Sequence, residues 1–374
     1  MTKPLDIVIL GLSLSSSWGN GHSTTFRSLL RGLHAAGEGH RVLFLERDVP
    51  WYASHRDLPD PDFCEFAYYS DIDDMLSTYG ERIRLADAVI VGSYVPAGVT
   101  LIDALIALGP QRLCFYDIDT PVTLAKLQRG DEEYIARRQI PELDAYFSFT
   151  GGPILRHLES HYGVPKALPL YCSVDADRYQ PTGEPIEWDL GYLGTYSPDR
   201  QPVLEKMLIE PARRLKGRRF VVAGPQYPAD IDWPDNVDRI DHLPPSEHAS
   251  FYSRQRFTLN VTRADMIAAG WSPSVRLFEA GACASPIISD AWEGLTDLLP
   301  DGAAIVIART TEEVVAALEQ TSDEERQALA EAARLRVLEG HTGRARAAEL
   351  IRDLRDLPLR RQDMGAAPRH KISA

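Results

Sequence analysis

Ser272-Pro-Ser-Val-Arg-Leu-Phe-Glu-Ala-Gly-Ala-Cys-Ala-Ser-Pro-Ile-Ile-Ser-Asp290 is the stretch whose reading decides the fold. It reads as a helix followed by a short buried strand. Ser272 suits a helix cap and Pro273 the first turn, where a missing N–H is no loss. Val275, Phe278 and Ala282 recur at spacings of three and four, so they share one face. Gly281, Ala284 and Pro286 close the helix, and Ile287 and Ile288 form the strand. Free N–H groups at such a helix start suit an anion such as a diphosphate. Glu279, on the same helix, suits the hydroxyls of a ribose.

On both sides of this stretch the chain alternates strands with helices. The first half predicts strands at Asp6–Ser13, Arg41–Asp48, Ala88–Tyr94, Arg112–Asp119, Ala145–Thr150 and Ala167–Val174. Between the first two, Phe26, Leu29, Leu30 and Leu33 make one apolar helical stripe. The second half predicts strands at Asp189–Tyr196, Arg218–Gly224, Val237–Leu243, Arg256–Thr262, Pro286–Asp290 and Ala303–Ala308. Two such series imply two doubly wound α/β domains with parallel sheets. The break falls at Tyr179–Pro185, which is rich in proline, glycine and polar residues. The expected organisation is residues 1–180, residues 181–342, a last helix within 343–358, and a mobile tail at 359–374.

A chain of 374 residues is too long for one ordinary α/β core and suits two. Its 40 basic and 54 acidic residues give a formal charge of −14, which argues against nonspecific binding to nucleic acid or anionic membrane. The basic run Arg213–Arg219 surrounds a glycine and reads as a solvated helix end. The apolar run after Asp6 is too short for a signal peptide or a membrane span. Cys64, Cys114, Cys172 and Cys283 have no paired spacing and read as free thiols of a reducing compartment. The expectation is a cytoplasmic protein with no integral membrane segment and no nucleic-acid partner.

Four segments carry a family resemblance: Leu193–Arg200, Arg276–Cys283, Ser289–Asp290 through Gly294–Leu295, and Arg336–Thr342. They resemble glycosyltransferases of the GT-B fold. More narrowly they look like the spore-maturation-protein-like, CgeB-type family with a glycosyltransferase group 1 C-terminal domain. Trp18–His22 and Tyr116–Pro121 extend the likeness more loosely into the first half. Many group 1 transferases carry two glutamates eight positions apart here. The second matches Glu279, but Trp271 stands where the first would fall. The resemblance implies a hexosyl- or related transferase that uses a nucleoside-diphosphate sugar, requires no cofactor and holds no metal. The acceptor, a glycan, natural product, lipid or protein, stays open. Two other readings share the fold: a nucleotide-sugar epimerase and a non-catalytic nucleotide-sugar-binding subunit.

Ligands of open α/β sheets bind beyond the carboxyl ends of the strands, so the residues after each strand are the candidates. Gly194 admits close backbone approach, with Tyr196 beside it, and Arg200 offers a bidentate grip on a diphosphate. Arg263 and Arg276 are further cations for the diphosphate, with Asn260, Ser274 and Val275 around the helix start. The resemblance places His242 and Leu243 near a nucleobase. In the first half, the loop Ser13–Thr25 is rich in serine and glycine, like a phosphate cradle, but Thr24 breaks the dinucleotide pattern after Gly19 and Gly21. There the resemblance turns Gly21 toward the donor sugar. His22 is the candidate general base. Asp117 and Asp119, two apart on a strand, are expected on one face, with Asp119 orienting His22 or binding the acceptor. Trp51, Tyr52 and Arg56 mix aromatic and polar groups as an acceptor site requires.

Overall fold

The computed structural model describes residues 3–18 and 21–360. Gly19 of the serine–glycine loop and residues 361–374 of the expected tail lie outside the described residues. Among the described residues are two sheets, and every strand pair in them is parallel. The first holds β1 (Asp6–Gly11), β2 (Arg41–Arg47), β3 (Glu65–Tyr69), β4 (Ala88–Gly92), β5 (Leu113–Asp117), β6 (Ala145–Ser148) and β7 (Ala167–Pro169), in the order β3-β2-β1-β4-β5-β6-β7. The second holds β8 (Trp188–Leu193), β9 (Phe220–Ala223), β10 (Val237–Ile240), β11 (Gln255–Asn260), β12 (Ile287–Ser289) and β13 (Val306–Ile307), in the order β10-β9-β8-β11-β12-β13.

The apolar runs form strands because both faces of each sheet are covered. Along β1, Ile7 and Ile9 enter one core cluster, and Val8 and Leu10 enter the other. A strand buried on both faces has no need of polar alternation. The edge strand β3 was not predicted. Its Glu-Phe-Ala-Tyr-Tyr carries only a short aromatic run, Phe66 to Tyr69, and it pairs in parallel with β2. Strand order reverses between β1 and β4 in one sheet and between β8 and β11 in the other. These are the two switch points where open sheets leave a crevice.

The opening stretch needs two corrections. The helix runs Val275–Ala282, with Ser274 at its cap position, so Ser272 and Pro273 precede it. Ser272 instead meets Thr150 of the first half, Oγ to Oγ1 at 2.9 Å. Gly281 lies inside the helix, where a Cβ would come 2.8 Å from Val337, so close packing explains it better than termination.

Several ties join the two halves. Gly151 donates its N–H to the Trp271 carbonyl at 2.9 Å. The Trp271 ring fills a slot in which a Cβ on Gly152 or Gly294 would lie 2.4 Å from a ring carbon. The last helix, Gly343–Asp356, returns to pack on Gly21–Ala35 of the first half. Their backbones touch at Gly32 and Gly343, where a Cβ on Gly32 would fall 2.1 Å from the Gly343 carbonyl oxygen. Arg112 then donates twice to the Leu357 carbonyl, at 3.0 and 2.9 Å.

Candidate functional site

Between the two switch points lies a cleft of about 520 Å³. Its floor on the second half is built around Asn260, which is fully buried at the end of β11. Asn260 Oδ1 accepts from Arg276 Nη1 at 2.9 Å and from Ser274 Oγ at 2.7 Å. Its Nδ2 donates to Ser289 Oγ at 2.9 Å and to Thr262 Oγ1 at 3.2 Å. The Ser274 hydroxyl is thereby turned away from its own helix, and it makes no side-chain cap there. The helix start, Pro273 to Arg276, lines the cleft without a side-chain cap, and such a start suits an anion.

Three guanidinium groups meet at this floor. Arg276, 7% exposed, donates to the Leu193 carbonyl at 2.6 Å and stacks over the Tyr192 ring at 4.6 Å. Arg200 donates to the Thr195 carbonyl at 2.7 Å. Arg263 lines the same cleft. Burial lowers the Arg200 pKa, and repulsion from Arg276 and Arg263 adds to it against an opposing pull from Tyr192. The hydrogen bonds named for Arg200 and Arg276 go to uncharged oxygens, which orient positive charge without neutralising it. Clustered cations of this kind favour an anion between them. Gly194 is required at this point, since a Cβ there would lie 2.5 Å from Tyr192 Oη and 2.9 Å from Arg276 Nη2.

Glu279 lies deeper, 5% exposed, and still lines the cleft. Its Oε2 accepts from Tyr252 Oη at 2.9 Å. Tyr179, whose hydroxyl meets His248 Nδ1 at 3.1 Å, faces the same carboxylate. A carboxyl group that accepts from hydroxyls keeps further acceptor capacity for a diol. His242 and Leu243, after β10, form the adjoining wall.

From the first half come Gly21, His22 and Asp119. The His22 ring meets Tyr94 edge-on, centroids 5.1 Å apart. Protein atoms crowd the imidazole, and desolvation lowers its pKa to about 4. Neutral imidazole is therefore the form at pH 7, and it is a weaker base than an exposed histidine. Tyr94 donates to Asp119 Oδ2 at 3.2 Å. Burial raises the Asp119 pKa, while Arg263 across the cleft opposes that. The expectation that Asp117 and Asp119 share a face fails. β5 ends at Asp117, so strand alternation does not extend to Asp119. Asp117 is enclosed by Tyr146 Oη at 2.5 Å and Thr123 Oγ1 at 2.8 Å, and burial raises it to about 6. Among the described residues no group of three or more His, Cys, Asp or Glu is placed to hold a metal ion.

The serine loop is not a phosphate cradle along its first turn. The buried Glu46 carboxylate already occupies it, accepting Leu14 N–H at 2.6 Å, Ser15 N–H at 2.9 Å and Ser15 Oγ at 2.7 Å. Other expected residues also lie off the cleft wall. Asn260 stands behind it, holding Ser274 and Arg276. Tyr196 packs edge-on against Tyr227 at 5.6 Å. Trp51 and Tyr52 sit on the short helix Pro50–Ala53, and Arg56 pairs with Asp48 over the Tyr68 ring. Residues the sequence reading missed are Tyr94, Tyr179, His248 and Tyr252. Tyr94 carried one local signal, the end of a strand. The other three come together only through the tertiary fold.

Residues 200–352 match the family model described as glycosyl transferase-like. No curated protein matches the chain by sequence. Among solved structures, the chain is similar to a sucrose-phosphate synthase from Thermosynechococcus elongatus, with a TM-score of 0.67 and 12% identity over 94% of this chain and 98% of the other. It is also similar to Anabaena HepE in complex with UDP and glucose, with a TM-score of 0.66 and 11% identity over 94% of this chain and all of that one. The fold is GT-B. An alpha-glucosyltransferase in complex with UDP adds a TM-score of 0.63 at 12% identity, over 94% of this chain and 100% of the other. In GT-B terms, the cleft lies between two Rossmann-like domains that face each other through the carboxyl ends of their strands. No helix among the described residues is long and apolar enough to cross a membrane.

Proposed function

We propose that the chain transfers a sugar from a nucleoside-diphosphate sugar to an acceptor hydroxyl in the interdomain cleft. The observation that carries this reading is the meeting of Arg200, Arg263 and Arg276 beside an uncapped helix start, with Glu279 on the same helix. The arginines and the helix N–H groups receive the diphosphate. Glu279 receives the ribose hydroxyls, and His242 and Leu243 border the base. The UDP complexes of Anabaena HepE and of the alpha-glucosyltransferase support this use of the fold.

Departure of the sugar leaves charge on the diphosphate, and fixed cations in a partly desolvated cleft stabilise that charge. His22 takes the acceptor proton as a neutral base, and Asp119 bonds the incoming hydroxyl or the sugar. No metal enters this scheme, and no cofactor beyond the donor. The likeness of Leu193–Arg200 and Arg336–Thr342 to the CgeB-type family supports a group 1 transferase of that branch, acting as a cytoplasmic hexosyltransferase. The domains fall at residues 1–180 and 181–342, with the helix within 343–358 returning to the first.

A thermal-shift screen of nucleoside diphosphates and their sugar conjugates tests the reading. A ligand at a hundredfold its dissociation constant should add about 2.7 kcal/mol of stability. Stabilisation by a nucleoside diphosphate but not by its nucleoside is the expected result. A uniform lack of response across the panel contradicts it.

A further inference from the structure

Two of the exposed large hydrophobic side chains among the described residues are tryptophans, Trp18 at 50% and Trp51 at 62%. They come from different loops and meet through one residue. The His55 ring stacks on Trp18, centroids 4.9 Å apart and 15° from parallel, and lies 5.5 Å from the Trp51 ring. At the other end Trp18 reaches His242 of the donor-side domain at 6.3 Å. The aromatic row thus runs from the surface to the wall of the cleft. Exposed aromatic patches continuous with a binding cleft mark ligand surfaces.

The row is held in place before any ligand arrives. Ser16 Oγ donates to the His55 carbonyl at 2.8 Å and accepts Trp18 N–H at 3.3 Å. Asp57 accepts from Ser17 N–H at 2.8 Å and from both ends of the Arg27 fork at 2.8 Å each. His55 Nδ1 lies 2.9 Å from the Trp51 carbonyl oxygen and 2.9 Å from Ser54 Oγ. Both loops are therefore fixed relative to each other, which reduces the ordering that binding requires.

We propose that Trp18 and Trp51, held together through His55, form a stacking platform for a carbohydrate acceptor, which makes the acceptor of the proposed glycosyl transfer a sugar chain. This rests on the glycosyl-transfer reading. A pyranose presents C–H groups on its faces and hydroxyls around its edge. The faces suit the negative face of an aromatic ring. The edge needs polar partners, and Ser54, Asp57, Asp48 and Arg56 border the row with charged and hydroxyl groups. A flat apolar aromatic would offer no hydroxyls to this polar edge, whereas a pyranose does. A sugar on Trp18 lies beside His242, and a sugar farther along the chain meets Trp51 beyond His55.

The test uses the full chain with saturating nucleoside diphosphate. Cellotetraose, maltotetraose, chitotetraose and, separately, 4-nitrophenol are titrated by calorimetry and saturation-transfer NMR. At least one saccharide should bind, and Trp18→Ala and Trp51→Ala should each weaken it about tenfold or more. Trp51→Phe should recover part of the loss, which a purely structural role for Trp51 would not produce. Saccharide binding that both alanine variants leave unchanged overturns the proposal. So does binding of 4-nitrophenol alone, or of no saccharide by a protein that holds the nucleotide. Failure to bind any nucleoside diphosphate overturns the glycosyl-transfer reading itself, and the platform with it.

Discussion

Glu279→Gln separates the donor reading from the bland alternative of a buried structural carboxylate. Glutamine keeps the shape of the side chain and an acceptor for Tyr252 Oη, which lies 2.9 Å away. It removes the charge and turns the second carboxylate oxygen from an acceptor into an NH2 donor. Alanine is a poorer probe, because at 5% exposure it opens a cavity and strands the tyrosine hydroxyl. A stranded buried hydroxyl alone costs roughly 1–3 kcal/mol of stability, which would obscure the binding effect. A hydrogen bond to a charged group contributes about 1.5–3 kcal/mol. Loss of that increment corresponds to about a 10- to 150-fold weaker dissociation constant. Calorimetric titration with a nucleoside diphosphate and with its 2′-deoxy and 3′-deoxy forms reads it. The mutant penalty should be largest for the ribose ligand and shrink for the deoxy ligands, because the partner hydroxyl is already missing. An equal penalty for all three, or none in a folded variant, removes Glu279 from ribose recognition.

Three other outcomes follow from the same geometry. With the His22 pKa lowered to about 4, turnover should stay flat from pH 7 to pH 5; His22→Ala should cut it by about 10²–10⁴-fold and abolish the acid limb, and a variant with unchanged turnover ends that role. Trp271→Ala empties the slot between Gly152 and Gly294 and should cost about 3 kcal/mol by denaturant melt; a loss under about 0.5 kcal/mol would mean the ring is not wedged there. Burial alone would raise the Asp57 carboxyl, but Arg27 and Ser17 outweigh it and hold it at about 2. A depressed carboxyl stabilises the fold above about pH 4 and loses that contribution as pH falls toward 2, here about 1 kcal/mol after screening of a half-exposed pair. Asp57→Asn should therefore be less stable than the parent at pH 7 and approach it near pH 2; a constant difference across that range contradicts the linkage.

The two-series architecture was legible because strand-like segments alternate with helical ones in both halves, and β1 and β4 are nearly continuous apolar runs of the kind that doubly covered parallel sheets hold. Glu65–Tyr69 was overlooked: its run of Phe66 to Tyr69 is short, and its pairing with β2 is a tertiary fact. Positions after strands proved informative at His22, Gly194, His242 and Arg263, which all reach the cleft. Side-chain direction was harder to read. Nothing local distinguishes Asp117, sealed under Tyr146, from Asp119, open to Arg263. The sequence reading set the cap at Ser272, two residues before the observed cap position at Ser274. Only the distant Asn260 and Thr150 decide where their hydroxyls go. The capture of Ser13–Ser15 by Glu46 likewise depends on a strand more than thirty residues away.

A crystal structure with a bound nucleoside diphosphate tests the central claim most directly. The diphosphate should lie against Arg200, Arg263 and Arg276 at the start of Val275–Ala282, with both ribose hydroxyls on Glu279. A nucleotide seated elsewhere, or one whose phosphates contact none of the three arginines, would contradict it.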